Sequence, residues 1–248
     1  MLKRKKADLL PILVSVSVIY AAIPTYAMHI MDGYLSGGFS IAWGAICIPF
    51  LIAGLRSIRK KLAEEGRNIS MLAMSGAFIF LISSLKIPSV TGSCSHMTGT
   101  GLGAILLGSA PVAVLGLIVL LFQALLLAHG GITTLGANTF SMAIAGPFLT
   151  YFIYKGCKKA GMKNFISIFL AASLGDIFTY CITSMQLALA FPSAEGGTWL
   201  SALKFLGVFA PTQLPLALIE GMLTVMIIMA LENYAKPELK ALGFIKED

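Results

Sequence analysis

Residues 98–108 read TGTGLGAILLG, and whether this glycine-spaced apolar run crosses a membrane decides how the whole chain is threaded. Longer apolar segments flank it: Gly38–Arg56 and Ile69–Ile87 before, then Pro111–Ala128, Ala137–Tyr154, Phe165–Phe191 and Phe205–Leu231. Each can cross, or nearly cross, a hydrocarbon core of roughly 30 Å, which takes about 20 apolar residues in a helix. With 57% hydrophobic and 12% charged residues in 248, and a mean hydropathy of +0.88, the chain has more apolar surface than a soluble domain of its length can hide. The composition therefore predicts an all-α polytopic membrane bundle with no soluble domain. The net charge of +7 sits largely in short clusters between apolar runs, Lys3–Lys6, Arg56–Lys61 and Lys155–Lys163. Such clusters mark cytoplasmic loops rather than a nucleic-acid surface. Six crossings from an outside start place RSIRKKLAEEGRN inside but KGCKKAGMK outside, against that rule. Counting residues 98–108 as a short extra crossing restores the parity. The expectation is about seven transmembrane helices in the cell membrane, with the mature N-terminus outside and the tail AKPELKALGFIKED in the cytoplasm. The glycines of 98–108 then require a backbone packed against protein rather than lipid.

The first 27 residues have the parts of a secretory signal: basic KRKK, an apolar stretch from Leu9 to Ile23, and a polar end with Thr25 and Ala27 at the −3 and −1 positions. Two parts are expected, a signal peptide over 1–27 and a transmembrane domain over 28–248. The four cysteines, Cys47, Cys94, Cys157 and Cys181, fall singly and form no metal-ligand or disulfide framework. No G-x-x-x-x-G-K-[ST] run is present, so the chain cannot cradle a nucleotide by a P-loop. Uphill transport would draw its energy from elsewhere.

A cut after Ala27 gives the stretch TYAMHIMDGYL, residues 25–35, a chemical meaning. The new chain begins Met28-His29, and its amine, the His29 amide nitrogen and the His29 imidazole can close two fused chelate rings on one ion. A three-nitrogen grip of this kind suits nickel, copper or cobalt over magnesium or calcium. The fourth donor is expected from His96, in the outward loop TGSCSHMTGTG. Asp32, Ser95 and His129 are candidates to support those ligands. His129, at the end of a long apolar helix and followed by two glycines, reads first as a capping or core-satisfied histidine. Asp176 and Glu220 interrupt apolar helices, where ionisable groups are costly, and read equally as functional or as hydrogen-bonded packing residues. Ala73 and Ala77, four apart with Gly76 between, allow close approach of a helix from this chain or from a partner. A different class of function, an intramembrane hydrolase with Ser93 or Cys94 as nucleophile and His129 as base, lacks a G-x-S-x-G elbow. The threading also sets His129 toward the opposite face.

Together, MHIMDGYL, VTGSCSHMTGTGLGAILLG, LLLAHGGITTLGANTFSMAIAGP and LIEG resemble the CbiM/NikM family, the substrate-binding membrane subunits of energy-coupling-factor cobalt and nickel importers. The likeness runs from Met28 to about Leu231, and TGSCSH looks more like the cobalt branch. It implies a seven-helix bundle whose N-terminal loop tucks inward and presents the metal. By resemblance the ligands are the amine of Met28, the backbone and imidazole nitrogens of His29, and the imidazole of His96. It implies no resident cofactor and no enzymatic activity in this chain, with Co(II), or Ni(II) as runner-up, carried as cargo toward cobalamin synthesis. The implied partners are a CbiN-type small membrane subunit, a CbiQ-type coupling subunit and CbiO-type ATPases. Many members of the family begin directly at Met-His, whereas 27 residues precede it here, so the amine ligand depends on processing.

Overall fold

The structure, a computed structural model, describes residues 26, 27, 29–64, 66, 68–88 and 93–245. Residues 1–25 of the expected signal peptide, and Met28, lie outside the described residues. The two residues before Met28 form β1 (Tyr26–Ala27), and the chain then turns into α1 (Gly37–Glu64), which contains Pro49. A second helix, α2 (Asn68–Ser84), is followed by β2 (Ile87–Pro88) and β3 (Ser93–Ser95). β3 is the centre of a small ribbon, parallel to β1 with Tyr26 opposite Ser93 and antiparallel to β2 with Ile87 opposite Ser95. Strands of two or three residues are too short for an alternating pattern to register in the sequence.

The glycine-spaced run forms α3 (Thr100–Leu107), an eight-residue helix in which every residue is buried. At 1.5 Å per residue it is about 12 Å long. It does not span the hydrocarbon core by itself. Residues 95–99, all buried, carry the chain inward ahead of it. The requirement that its backbone meet protein is satisfied: a Cβ on Gly101 would press on Ala172 and one on Gly103 on Val112. Gly108 then turns the chain into α4 (Ser109–Leu127).

The next rod has three consecutive pieces: α5 (Leu135–Asn138), a π-helical segment (Thr139–Ala145) and α6 (Gly146–Lys159). Gly161, in the left-handed region at φ 75°, stops it, and Met162 N–H returns to the Cys157 carbonyl, as helix ends before a reversal require. The long helices α7 (Asn164–Ala190) and α8 (Gly197–Tyr234) follow, α8 with Pro211 and Pro215 inside it, and then short α9 (Lys236–Ala241). α1, α4, α7 and α8 are long and apolar enough to cross a membrane, and α2 is a shorter apolar helix. The chain is a multi-pass all-α membrane bundle.

Small residues set how closely the rods pack. α6 and α7 cross where Gly146 faces Thr179 and Gly175 faces Thr150, and α7 meets α8 where Gly221 faces Ser173; a Cβ on any of these glycines would collide. Close backbone approach of this kind holds membrane helices together where lipid supplies no hydrophobic drive. Ala73 and Ala77 lie on the opposite side of this logic. They are exposed, while α2 buries Met71, Leu72, Ser75 and Ile79.

Candidate metal centre

Three loops bring all three histidines of the sequence to one point. His29 arrives on the segment between β1 and α1, His96 follows β3, and His129 follows α4. His29 Nδ1 lies 2.6 Å from His129 Nε2 and 3.0 Å from His96 Nε2. The candidate donor atoms all fall within 4.8 Å of one another. His129 was expected toward the other face, and the geometry corrects that. α3 runs inward and α4 returns, so the loop after α4 ends beside the loop before α3. Its reading as a mere helix cap also falls short. The terminal carbonyls of α4 are met by backbone instead, His129 N–H donating to Gln123 O.

The partners of each ring fix its tautomer. His96 Nδ1 lies 2.9 Å from the Met97 carbonyl, which can only accept, so Nδ1 carries the proton and Nε2 presents a lone pair. His29 Nε2 lies 3.2 Å from the Met142 thioether, also an acceptor, so the His29 lone pair is on Nδ1. Burial keeps the rings neutral, pushing His96 down to about 4 and His129 to about 2, with His29 held well below its ordinary value. Two lone pairs therefore face each other across 3.0 Å, with at most one proton from His129 to share between them. Nitrogens about 2.0–2.1 Å from one divalent ion would be roughly 2.9–3.4 Å apart when adjacent. The geometry is that of a cation seat. It is also sealed, since His29 is 3% exposed, His96 0% and His129 1%.

The N-terminal loop is clamped in place by residues that sequence reasoning did not single out. The Asn138 side chain accepts from Ile30 N–H at 2.8 Å and donates to Ile30 O at 3.0 Å, while Thr134 Oγ1 donates to the same carbonyl at 2.6 Å. Asp32 accepts from Thr133 N–H at 2.9 Å and from the Thr133 hydroxyl, which in turn accepts from Gly33 N–H. Asp32 is exposed, and the Thr133 hydroxyl and amide hold its carboxyl below the usual carboxylate range. It supports the loop and lies outside the histidine cluster. Gly131 packs directly on the Asp32 backbone, leaving no room for a Cβ. The legible hint was a Thr-Thr pair and Asn138 at the threshold of an otherwise apolar run.

The loop bearing His96 is held from below. Glu220 of α8 accepts from Thr98 N–H at 2.6 Å, Thr98 Oγ1 at 2.8 Å and Gly99 N–H at 3.0 Å. It thereby caps the N-terminus of α3, which has no side-chain cap of its own. Gln213 donates to Asp176 Oδ2 at 2.6 Å and approaches the His96 carbonyl at 3.3 Å. Ser95 exchanges a hydrogen bond with Thr212 at 2.7 Å, a support of the strand rather than of a ligand. The intramembrane carboxyls thus position the loop, and neither joins the cluster.

The chain matches, over residues 29–239, the family described as the cobalt uptake substrate-specific transmembrane region. It is 66% identical over 219 residues to the cobalt transport protein CbiM of Lachnoclostridium phytofermentans, a match covering 88% of each chain. To the cobalt transport protein CbiM of Nostoc sp. it is 52% identical over 244 residues, 98% of this chain and 94% of the relative. Among solved structures it is similar to a truncated transition metal transporter, with a TM-score of 0.73 and 26% identity over 83% of this chain and 99% of that one. These relatives are named as transporters, and the chain is a transporter component rather than an enzyme, which retires the hydrolase reading. Sequence, fold and histidine cluster agree, and the chain belongs to the CbiM family.

Proposed function

We propose that this chain is the metal-capturing subunit of an ATP-driven cobalt importer of the energy-coupling-factor type. It takes Co(II) from outside the cell and passes it inward toward cobalamin synthesis. The observation that carries this reading is the meeting of His29 Nδ1 and His96 Nε2 at 3.0 Å, the two nitrogens that the outer partners of each ring leave without a proton. Nδ1 is also the ring nitrogen that can close a six-membered chelate with the His29 backbone nitrogen. After the leader is removed at Ala27, the Met28 amine extends the chelate by a second ring, and His96 supplies a fourth nitrogen. His129, 2.6 Å from the shared His29 atom, stands close enough to join the ion, and the protons the donors lose on binding pass to solvent, since ligands must be deprotonated.

Energy comes from CbiO-type ATPases through a CbiQ-type coupling subunit, with a CbiN-type small subunit alongside. The exposed pair Ala73 and Ala77 on α2 offers a small-residue face against which a partner helix can lie. The basic clusters favour a cytoplasmic position for the end of the bundle remote from the histidines. N-terminal sequencing of membrane-extracted protein, combined with elemental analysis, tests the reading: a mature start at Met28 with one cobalt per chain is expected. His96→Ala should lose most of that cobalt while still inserting in the membrane. Wild-type cobalt in that variant removes His96 from the site, and nickel in place of cobalt makes the chain a nickel carrier of the same design. A chain that still carries residues 1–27 and holds full metal rules out the amine ligand.

A further inference from the structure

At the end of the bundle opposite the histidines, the ends of α1, α3 and α6 and the turn after α9 enclose a cavity of about 390 Å³. Three amines line it, Lys61 from α1 and Lys155 and Lys158 from α6. The last two are three apart on a helix and so share a face. No carboxylate among the described residues lines this space. Two acids near it have other partners: Glu64 pairs with Lys60 at 3.8 Å, and Glu232 accepts from Asn164 at 3.0 Å. Lysines without a shared anion repel one another, and here two helices converge three of them on one hollow.

The rest of the lining fits an anion with an apolar body. Gly108, at the wall, is the N-cap of the 19-residue helix α4 and provides no side-chain cap. The positive end of the α4 dipole acts on this wall but is opposed by the carbonyl ends of α1, α3 and α6, so the charge of the cavity rests on its lysines. Tyr151 contributes a hydroxyl, and its ring carries Lys155 Nζ at 5.5 Å from the centroid, which steers that amine over the cavity. Ile105, Leu106 and Leu107 of α3 supply a buried apolar base. A partner helix, about 10–12 Å across with its side chains, is too wide for this volume, whereas a head group and the first carbons of its glycerol are not. We propose that the cavity seats the phosphate of an anionic phospholipid, independently of the metal site.

The test uses the full chain, extracted in detergent, stripped of lipid and titrated with phosphatidylglycerol or phosphatidylcholine, with bound lipid counted by native mass spectrometry. The wild type should retain phosphatidylglycerol in preference. A K155Q/K158Q double variant should lose roughly tenfold or more of that preference, each near-surface basic residue contributing severalfold to anionic lipid binding. K204Q, an equal kind of charge change on α8 away from the cavity, should keep it, and all variants should carry wild-type cobalt. A wild type that holds both lipids equally, or a double variant with undiminished preference, overturns the proposal. In a parallel arm, inorganic phosphate is added to lipid-free protein. If it raises the melting temperature of the wild type but not of K155Q/K158Q while the lipids go undistinguished, the anion is free phosphate and the lipid assignment falls.

Discussion

Asn138→Ala isolates the docking of the N-terminal loop from the ligands themselves. The side chain is 2% exposed, as is Ile30, and it pairs with both backbone groups of Ile30 at 2.8 and 3.0 Å. Truncation leaves Ile30 O bonded to Thr134 but strands Ile30 N–H in a dry interior, at about 1–3 kcal/mol, and removes a second bond worth roughly 1 kcal/mol. The loop then docks about 2–4 kcal/mol less firmly. Asp32 with Thr133, and the packing of Gly131 on Asp32, still hold it, so only part of that loss reaches the metal. Removal of such supporting contacts typically costs 10–100-fold in metal affinity, and that range is expected here for Co(II). The assay is competition of purified wild type and variant against a chromophoric chelator, with cobalt absorption reporting whether the ligand set is intact. An unchanged spectrum with weakened affinity is the expected pair of results. Affinity within twofold of wild type would refute the view that Asn138 fixes the position of His29.

Glu220→Gln keeps the shape but turns an amide NH2 toward donors of the Thr98–Gly99 segment, so cobalt affinity and melting temperature should both fall; a variant that melts like wild type refutes the capping role. Ala128, immediately before His129, sits in the left-handed region at φ 47°, where a side chain costs about 1–2 kcal/mol. Ala128→Gly should therefore leave stability unchanged or raised, whereas Ala128→Val should weaken cobalt retention, and equal behaviour of the two in a thermal melt and metal assay would count against this. Acid should loosen the loop through Asp32. Its folded value is depressed, so its contribution is present above the unfolded value of about 3.9 and is lost as pH falls through the folded one. Hydrogen exchange of the loop should show that acid step in wild type and lack it in Asp32→Asn; identical profiles remove Asp32 from the clamp.

The bundle was legible because hydropathy is a property of long segments. Runs such as Pro111–Ala128 and Phe165–Phe191 announce helices by length alone. The short run at 98–108 could be placed only through charge parity, and its true form, a half-length helix fed by a buried loop, depends on packing that no local pattern records. His29 and His96 stood out because a histidine second in a prospective terminus and one in a polar loop are local patterns, and the structure brings their rings to 3.0 Å. His129 was misplaced because it meets them across 100 residues of sequence in the case of His29. Asn138 and Met142 escaped for the same reason. Each acts on a residue more than a hundred positions away, and alone each looks like an ordinary polar or gap-filling side chain.

The sealing of the three imidazoles has a kinetic consequence. With His29, His96 and His129 at 3%, 0% and 1% exposure, an ion carried as proposed above has no open path to these nitrogens while the segment from His29 to Gly33 is docked on the loop from His129 to Thr134. Exchange must wait for that segment to lift, so the rate constants for capture and release both contain its opening frequency and lie well below the encounter limit of about 10⁹ M⁻¹ s⁻¹. On the proposed reading, holding and turnover are thus tied to one hinge: lifting the few residues that bear His29 parts its nitrogens from His96, so a single movement both opens the way out and divides the ligand set.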